Sequence, residues 1–308
     1  MKEIKYLSPS SLKLFFSDID QFYRQYLSDK QFDRMPQTKP MAIGSAFDAR
    51  VKAYLYKELV NGGDSRFDLV ALFESQVEIQ NRNEVWRDSD DLFNWYKKNG
   101  MADLIRMMQG SLMEPRFEFG ITSHVKTSIG GVELNGRPDC YFINKAGFPV
   151  ILDWKVNGFY SNSKKSPAKG YVFSYPDMKS HRDTIVREYQ GIGISNFKIE
   201  ETDKDWANQL SIYGWLLGNE VGKEIIVAVD QLVGMRGEPR MAQFRGKVSQ
   251  QYQEEWFKTI HKVWDHLKRG HIYMDMTLEQ SQTRCKLFDD PGEKLFQIDG
   301  PQLKEMLG

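Results

Sequence analysis

The chain has 308 residues, 41% hydrophobic and 27% charged, which allows a substantial core and excludes a disordered or fibrous protein. Lys plus Arg equal Asp plus Glu at 42 each, so no net field attracts a polyanion, and any nucleic-acid binding must come from a local cluster of charge. Cys140 and Cys285 are too few for a disulfide framework, a structural zinc site or an iron–sulfur cluster; without a signal-type N-terminus or a run of about 18 apolar residues, the expectation is a cytoplasmic protein with no membrane partner.

Ser8-Pro9 reads as a helix start, because the hydroxyl can accept an orphan N–H and proline suits the first helical position. Leu12, Phe15, Phe16, Phe22, Tyr23, Tyr26 and Leu27 continue an apolar face, with a bend expected at 17–20. A second helix is expected over 43–59, where Phe47, Val51 and Leu55 recur at four-residue spacing, and further helices over 67–80 and 88–109. From Arg116 the pattern changes. "FEFGITSHVKTSI", "GVELNGRPDCYFI" and "PVILDWKV", separated by turn signals, predict a three-stranded meander. "NGFYSNSKKSPAKGYVFSYPDMKSHR", residues 157–182, is too rich in Gly, Ser and Pro for a regular element, and so long a loop is either functional or disordered. A helical period resumes in "DKDWANQLSIYGWLLG", then "EIIVAVDQLV" and "RMAQFRGKV" read as strands, and 249–270 as an amphipathic helix stopped at Gly270. The expected organisation is α/β in one elaborated domain: a helical part over 1–112, a core over 113–270 with the insertion 157–203, and a tail over 271–308.

In this frame Asp139 falls on the second strand of the meander, and Asp153 and Lys155 on the third. Residues two apart on a strand share a face, and antiparallel pairing can bring Asp139 beside them. Carboxylates meeting in this way repel unless one holds its proton or a divalent cation sits between them. Oxygen ligands favour Mg²⁺, and the lysine could position a water or neutralise charge on a phosphate. The bland alternative is a turn capped by Asp139 and a solvated Asp153–Lys155 pair on a strand edge; the stretch alone leaves both open.

Pro138-Asp139 followed by Asp153-Trp154-Lys155 resembles the PD-(D/E)xK signature of metal-dependent nucleases. Other matches narrow the resemblance to the RecB-type and lambda-exonuclease-like branch. Gln209 and Tyr213, four apart on a predicted helix, resemble its QxxxY motif. "LSPSSLKLFFSDIDQFYRQYL" resembles its opening helix, and "GSAFDARVKAYL" its glycine-led helix, with Asp48 where the branch carries histidine. These matches run in order from residue 8 to about 218, and the later strand pair and long helix fit the branch's ending.

The resemblance implies a restriction-endonuclease-like core, a central mixed β-sheet flanked by helices, hydrolysing DNA phosphodiester bonds with Mg²⁺ or Mn²⁺. It implies an exonuclease of recombination, repair or DNA-end processing, working beside a recombinase, annealing protein or helicase. Asp139, Asp153 and the main-chain carbonyl of Trp154 would hold the metal, with Asp48 assisting. Lys155 would sit beside the attacking water. Gln209 and Tyr213 would contact phosphate or orient Lys155, unless they are a buried polar pair tying helix to sheet. Asp18 stands near the first cluster cysteine of some relatives and no matching cysteine group follows, so no iron–sulfur cluster is expected. Glu114 and Glu118 are either additional ligands or solvated carboxylates. A catalytically silent DNA-binding or assembly protein, and an RNA-directed phosphodiesterase, stay open.

The insertion departs from the branch's minimal core. Lys164, Lys165, Lys169, Lys179 and Arg182 are interleaved there with Phe159, Tyr160, Tyr171, Phe173 and Tyr175. Cations for phosphates and rings for unpaired bases suit a strand-tracking surface; the alternative is a solvated loop whose rings pack back on the body.

Overall fold

The structure is a computed structural model that describes residues 1–30, 32, 36–60, 63–156, 170–172, 198–233 and 239–289. The helical first third consists of α1 (Pro9–Ser17), α2 (Ile19–Phe22), α3 (Lys39–Leu59), α4 (Leu69–Gln76), α5 (Ile79–Asn99) and α6 (Met101–Gln109). Then come β1 (Arg116–Phe117), β2 (Ile121–Thr127), β3 (Gly130–Gly136), β4 (Cys140–Ile143), β5 (Pro149–Val156) and β6 (Gly170–Val172). The remainder is α7 (Ile199–Thr202), α8 (Lys204–Leu216), β7 (Ile225–Val233), β8 (Arg240–Val248), α9 (Gln250–Lys268) and α10 (Leu278–Asp289). Among the described residues no helix is long and apolar enough to cross a membrane.

The chain divides into two compact units, one of Met1–Arg34, Thr122–Asn135 and Trp256–Gly308, the other of Met35–Ile121 and Gly136–Glu255. In the first, Ser8 caps α1 through a reciprocal pair with Ser11, and Asp18 both ends α1 and caps α2 by accepting from the Gln21 N–H. That change of cap makes the bend expected at 17–20. Asp20 holds Arg284 and Tyr273, and Asp289 holds Tyr23 and Ser28, so α10 is fastened to α2 and the turn after it by charge-assisted bonds.

The second unit carries a six-stranded sheet in the order β1-β4-β5-β7-β8-β6. β5 with β7 and β8 with β6 are parallel, and the other neighbours are antiparallel, so the sheet is mixed. Phe47, Val51 and Leu55 of α3 and Leu92, Phe93 and Tyr96 of α5 pack with Phe142, Leu152 and Trp154 of the sheet. Fully burying each large apolar side chain of this group contributes about 1.5–3 kcal/mol, which is why α3 is held firmly against β5.

Three expectations need correction. The meander is split: its first strand breaks at Glu118–Gly120 into β1 and β2, and its second breaks at Arg137–Asp139 into β3 and β4. Pro138 has no N–H for a ladder, and Glu118 has φ of 48°, outside the extended range. The order first–second–third survives as β1-β4-β5, while β2 and β3 pair as a separate hairpin. Asp139 therefore lies just before β4 and not on a strand. The helix expected at 43 begins at Lys39, with Pro40 in its first turn, and the helix expected over 88–109 is α5 followed by α6, divided at Gly100.

Candidate active site

Two register relations assemble the acidic residues. Phe117 pairs with Cys140, and the Glu118 N–H continues that ladder to the Asp139 carbonyl at 3.3 Å. Cys140 pairs with Leu152, so one step further along the same antiparallel register sets Asp139 opposite Asp153. Glu118, Asp139 and Asp153 thus form a row across the end of three strands. Asp139 is fixed there by accepting the Trp154 N–H at 3.1 Å on Oδ2.

Asp153 and Lys155 point to one face of β5 and Trp154 to the other, as strand alternation requires. On their side stands α8, capped by Asp203, which accepts from the Asp205 and Trp206 N–H groups. Gln209 is the bridge: its Nε2 donates to Asp153 Oδ1 at 3.1 Å and to the Tyr213 hydroxyl at 2.9 Å, and its Oε1 accepts from Lys155 Nζ at 2.7 Å. Gly136 permits this, because a Cβ there would come within 2.7 Å of Leu216 and 2.9 Å of the Tyr213 ring.

Asp153 is 1% exposed. Lys155 Nζ lies 2.7 Å from its Oδ2, an ion pair with a buried carboxylate. Burial pushes the Asp153 carboxyl up to about 6, with Lys155 opposing and Asp139 adding to the shift. For Lys155, burial works against the charged form, but Asp153 and Asp139 outweigh it and the ammonium is held more tightly than usual. Tyr213 is pushed up by burial and by the same two aspartates, so its hydroxyl stays protonated.

The fourth carboxylate comes from α3. Asp48 and Lys52 are one helical turn apart, and Lys52 Nζ lies 2.6 Å from Asp48 Oδ2, 3.1 Å from Asp139 Oδ1 and in contact with Glu118 Oε1. Lys52 is fully buried. Burial opposes its charge, but Asp139, Asp48 and Glu118 together raise its pKa well above the ordinary value. Asp48 is pushed up to about 7, first by the protein packed round it, against the pull of Lys52. Asp48, Glu118 and Asp139 can bring one oxygen each within 4.8 Å of one another.

Asp48, Asp139, Asp153, Lys155, Gln209 and Tyr213 are therefore brought into one connected group within the sheet-bearing unit, with Trp154 contributing main chain between them. Glu118, left open by sequence, belongs to it. Lys52 was missed, although its four-residue spacing from Asp48 on a helix was a visible signal. Glu114 lines a groove with Glu58, Leu59 and Met113, away from these residues. Lys164, Lys165, Lys169 and Arg182 lie outside the described residues, whereas Tyr171 is on β6, with its Cα opposite Met241 of β8.

A groove of about 340 Å³ reaches the group between the first turns of α3 and the end of β5, lined by Met41, Gly44, Phe47, Asp48, Trp154 and Lys155. A larger one of about 760 Å³, lined by Arg50, Tyr54, Phe67 and Phe93, contains none of the expected residues. The possible ligands at the group are all carboxylate oxygens, and Asp153 among them is buried. Both properties fit a hard divalent cation of the Mg²⁺ or Mn²⁺ type.

No family model and no curated protein matches the chain. Among solved structures it is similar to a "Putative exonuclease" from Eubacterium rectale, with a TM-score of 0.47 at 14% identity over 87% of this chain and 82% of that one. A second likeness, to SSO0001, has a TM-score of 0.26 at 10% identity over 81% and 86% of the two chains. Neither likeness assigns a family or an activity.

Proposed function

We propose that the chain is a metal-dependent nuclease that hydrolyses phosphodiester bonds in DNA, as an exonuclease of recombination, repair or DNA-end processing, with a restriction-endonuclease-like core. One observation carries the reading: Asp153, Lys155, Gln209 and Tyr213, up to 60 residues apart in sequence, form a single hydrogen-bonded group through Gln209, and Asp139 is fixed beside it by accepting the Trp154 N–H. A solvated pair on a strand edge does not account for a fully buried Asp153.

Asp139, Asp153 and the main-chain carbonyl of Trp154 would hold Mg²⁺ or Mn²⁺, which supplies Lewis acidity and an activated water when bound. Lys155, 22% exposed and aligned by Gln209 Oε1, is placed to donate to a phosphate oxygen or to hold that water. Gln209 keeps Asp153 and Lys155 in register with each other, and the protonated Tyr213 hydroxyl fixes the amide. The groove beside Lys155 and Asp48 is the opening through which a phosphodiester would approach. DNA is the partner on this reading.

The test is degradation of end-labelled linear DNA, single- and double-stranded, beside a covalently closed circle, in Mg²⁺, Mn²⁺ or EDTA. Wild type is expected to consume linear DNA only when metal is present, and Asp153→Ala and Lys155→Ala to leave it intact. Cutting of the circle would make the protein an endonuclease. A wild type that binds DNA yet leaves every substrate whole in both metals would sink the catalytic assignment in favour of a scaffold role.

A further inference from the structure

We propose that Lys52 is a tethered cation standing where a second metal ion would otherwise bind, so that the site takes one divalent ion, on Asp139 and Asp153. Asp48 and Glu118 then hold Lys52 and not the metal. This rests on the nuclease reading and names the cation stoichiometry of the same site.

Three observations carry it. First, an ammonium has three N–H donors, and Lys52 meets three carboxylates: Asp48, Glu118 and Asp139. With the side chain fully buried, no donor is left for water. Second, the cradle is built for it. Asp48 is set by its place one turn before Lys52 on α3, and Glu118 by a backbone at φ 48° that a non-glycine residue adopts only when its surroundings impose it. The oxygens that could chelate an ion at Asp48, Glu118 and Asp139 are the ones converging on this ammonium.

Third, the charge counts against a second ion. Asp48, Glu118, Asp139 and Asp153 face Lys52, Lys155 and, 3.7 Å from Glu118, Arg137, which leaves a formal charge of minus one before substrate arrives. One divalent cation already offsets that charge, and a second would leave a large positive excess. Asp139 can serve both partners, because an ionised carboxylate has about four lone-pair sites and Lys52 and the Trp154 N–H take two. Lys52 is thus a positioning residue: it orients Asp139 by donating to its Oδ1.

The test counts bound Mn²⁺ by isothermal titration calorimetry on the full chain and follows thermal unfolding with and without Mn²⁺. Wild type and Lys52→Arg are expected to bind one ion, and Lys52→Met two. Lys52→Met should melt below wild type in EDTA and gain more from Mn²⁺ than wild type does. Glu118→Gln should still bind one ion with affinity within a few-fold of wild type. Two ions in wild type, or one in a folded Lys52→Met, overturns the inference and leaves the nuclease reading standing. If Lys52→Met does not fold, Glu118→Gln decides: loss of the ion there puts Glu118 on the metal and overturns it. Failure of wild type to bind any ion removes the nuclease reading itself, and the inference with it.

Discussion

Gln209 touches three of the proposed functional side chains, so its truncation asks whether the group acts as a unit. In Gln209→Ala, Lys155 loses the acceptor that aims it and Asp153 loses a donor to its carboxylate. Removing a partner that orients a metal-binding or catalytic group typically costs about 10–100-fold in activity or metal affinity. A second readout separates positioning from simple loosening of α8. An amide donating to a carboxylate favours its charged form, so without Gln209 the Asp153 carboxyl, already raised to about 6, must rise further. Protons compete with the metal for Asp153, so the pH below which Mn²⁺ binding is lost should move up in Gln209→Ala, with kcat lower at saturating metal as well. A variant with reduced rate and an unmoved pH dependence of Mn²⁺ binding would make Gln209 a structural tie and nothing more.

At the scale of elements, β5 is held from both sides. Opposite the site, the Trp154 indole donates to the Tyr96 hydroxyl at 3.0 Å, and that hydroxyl donates to Asp230 Oδ2 at 2.5 Å. Gln243 donates to the same oxygen, and Arg245 Nη2 lies 2.6 Å from Asp230 Oδ1. Trp154 and Asp230 are paired across β5 and β7, so this buried chain links α5, β5, β7 and β8 directly behind Asp153 and Lys155. Tyr96→Phe leaves both Trp154 Nε1 and Asp230 short of a partner without opening a cavity. The expected cost is about 1–3 kcal/mol, measured as a lower urea midpoint at unchanged slope. A midpoint equal to that of wild type would mean the network adjusts without loss and does not brace β5.

These elements show what sequence can and cannot reveal. Asp153, Lys155, Gln209 and Tyr213 were legible because each pair obeys a local period, two on a strand and four on a helix. Asp139 was legible as a residue but not as a position, because Pro138 moved it off the strand. Glu118 could not be chosen over Glu114 until the register of β1 on β4 and a positive φ had been fixed, and both are tertiary facts. Asp230, inside a run that reads as an ordinary buried strand, gave no hint of its partners, since Tyr96, Gln243 and Arg245 reach it from three other segments.

For the whole molecule the governing quantity is its neutrality, with 42 basic and 42 acidic residues. Such a chain has no general attraction for DNA, and the described site has four carboxylates against Lys52, Lys155 and Arg137, so without metal it keeps a net negative charge that disfavours phosphate. Affinity for a strand must then come from basic residues elsewhere, and Lys164, Lys165 and Lys169, with aromatic residues on either side, form a local basic group that follows closely on Asp153 and Lys155 in the sequence. Each lysine on a single-strand phosphate adds about 0.7 to the slope of log affinity against log salt. Replacing all three by Ala should lower that slope by about 2 for a single-stranded oligonucleotide, read by fluorescence anisotropy in EDTA so that nothing is cut. The metal site is untouched, so Mn²⁺ binding should stay at the wild-type value. If affinity falls with no change of slope, the three lysines act on the fold and not on phosphate. If neither changes, DNA is held by another surface, and the neutral body must carry a basic patch that this stretch does not provide.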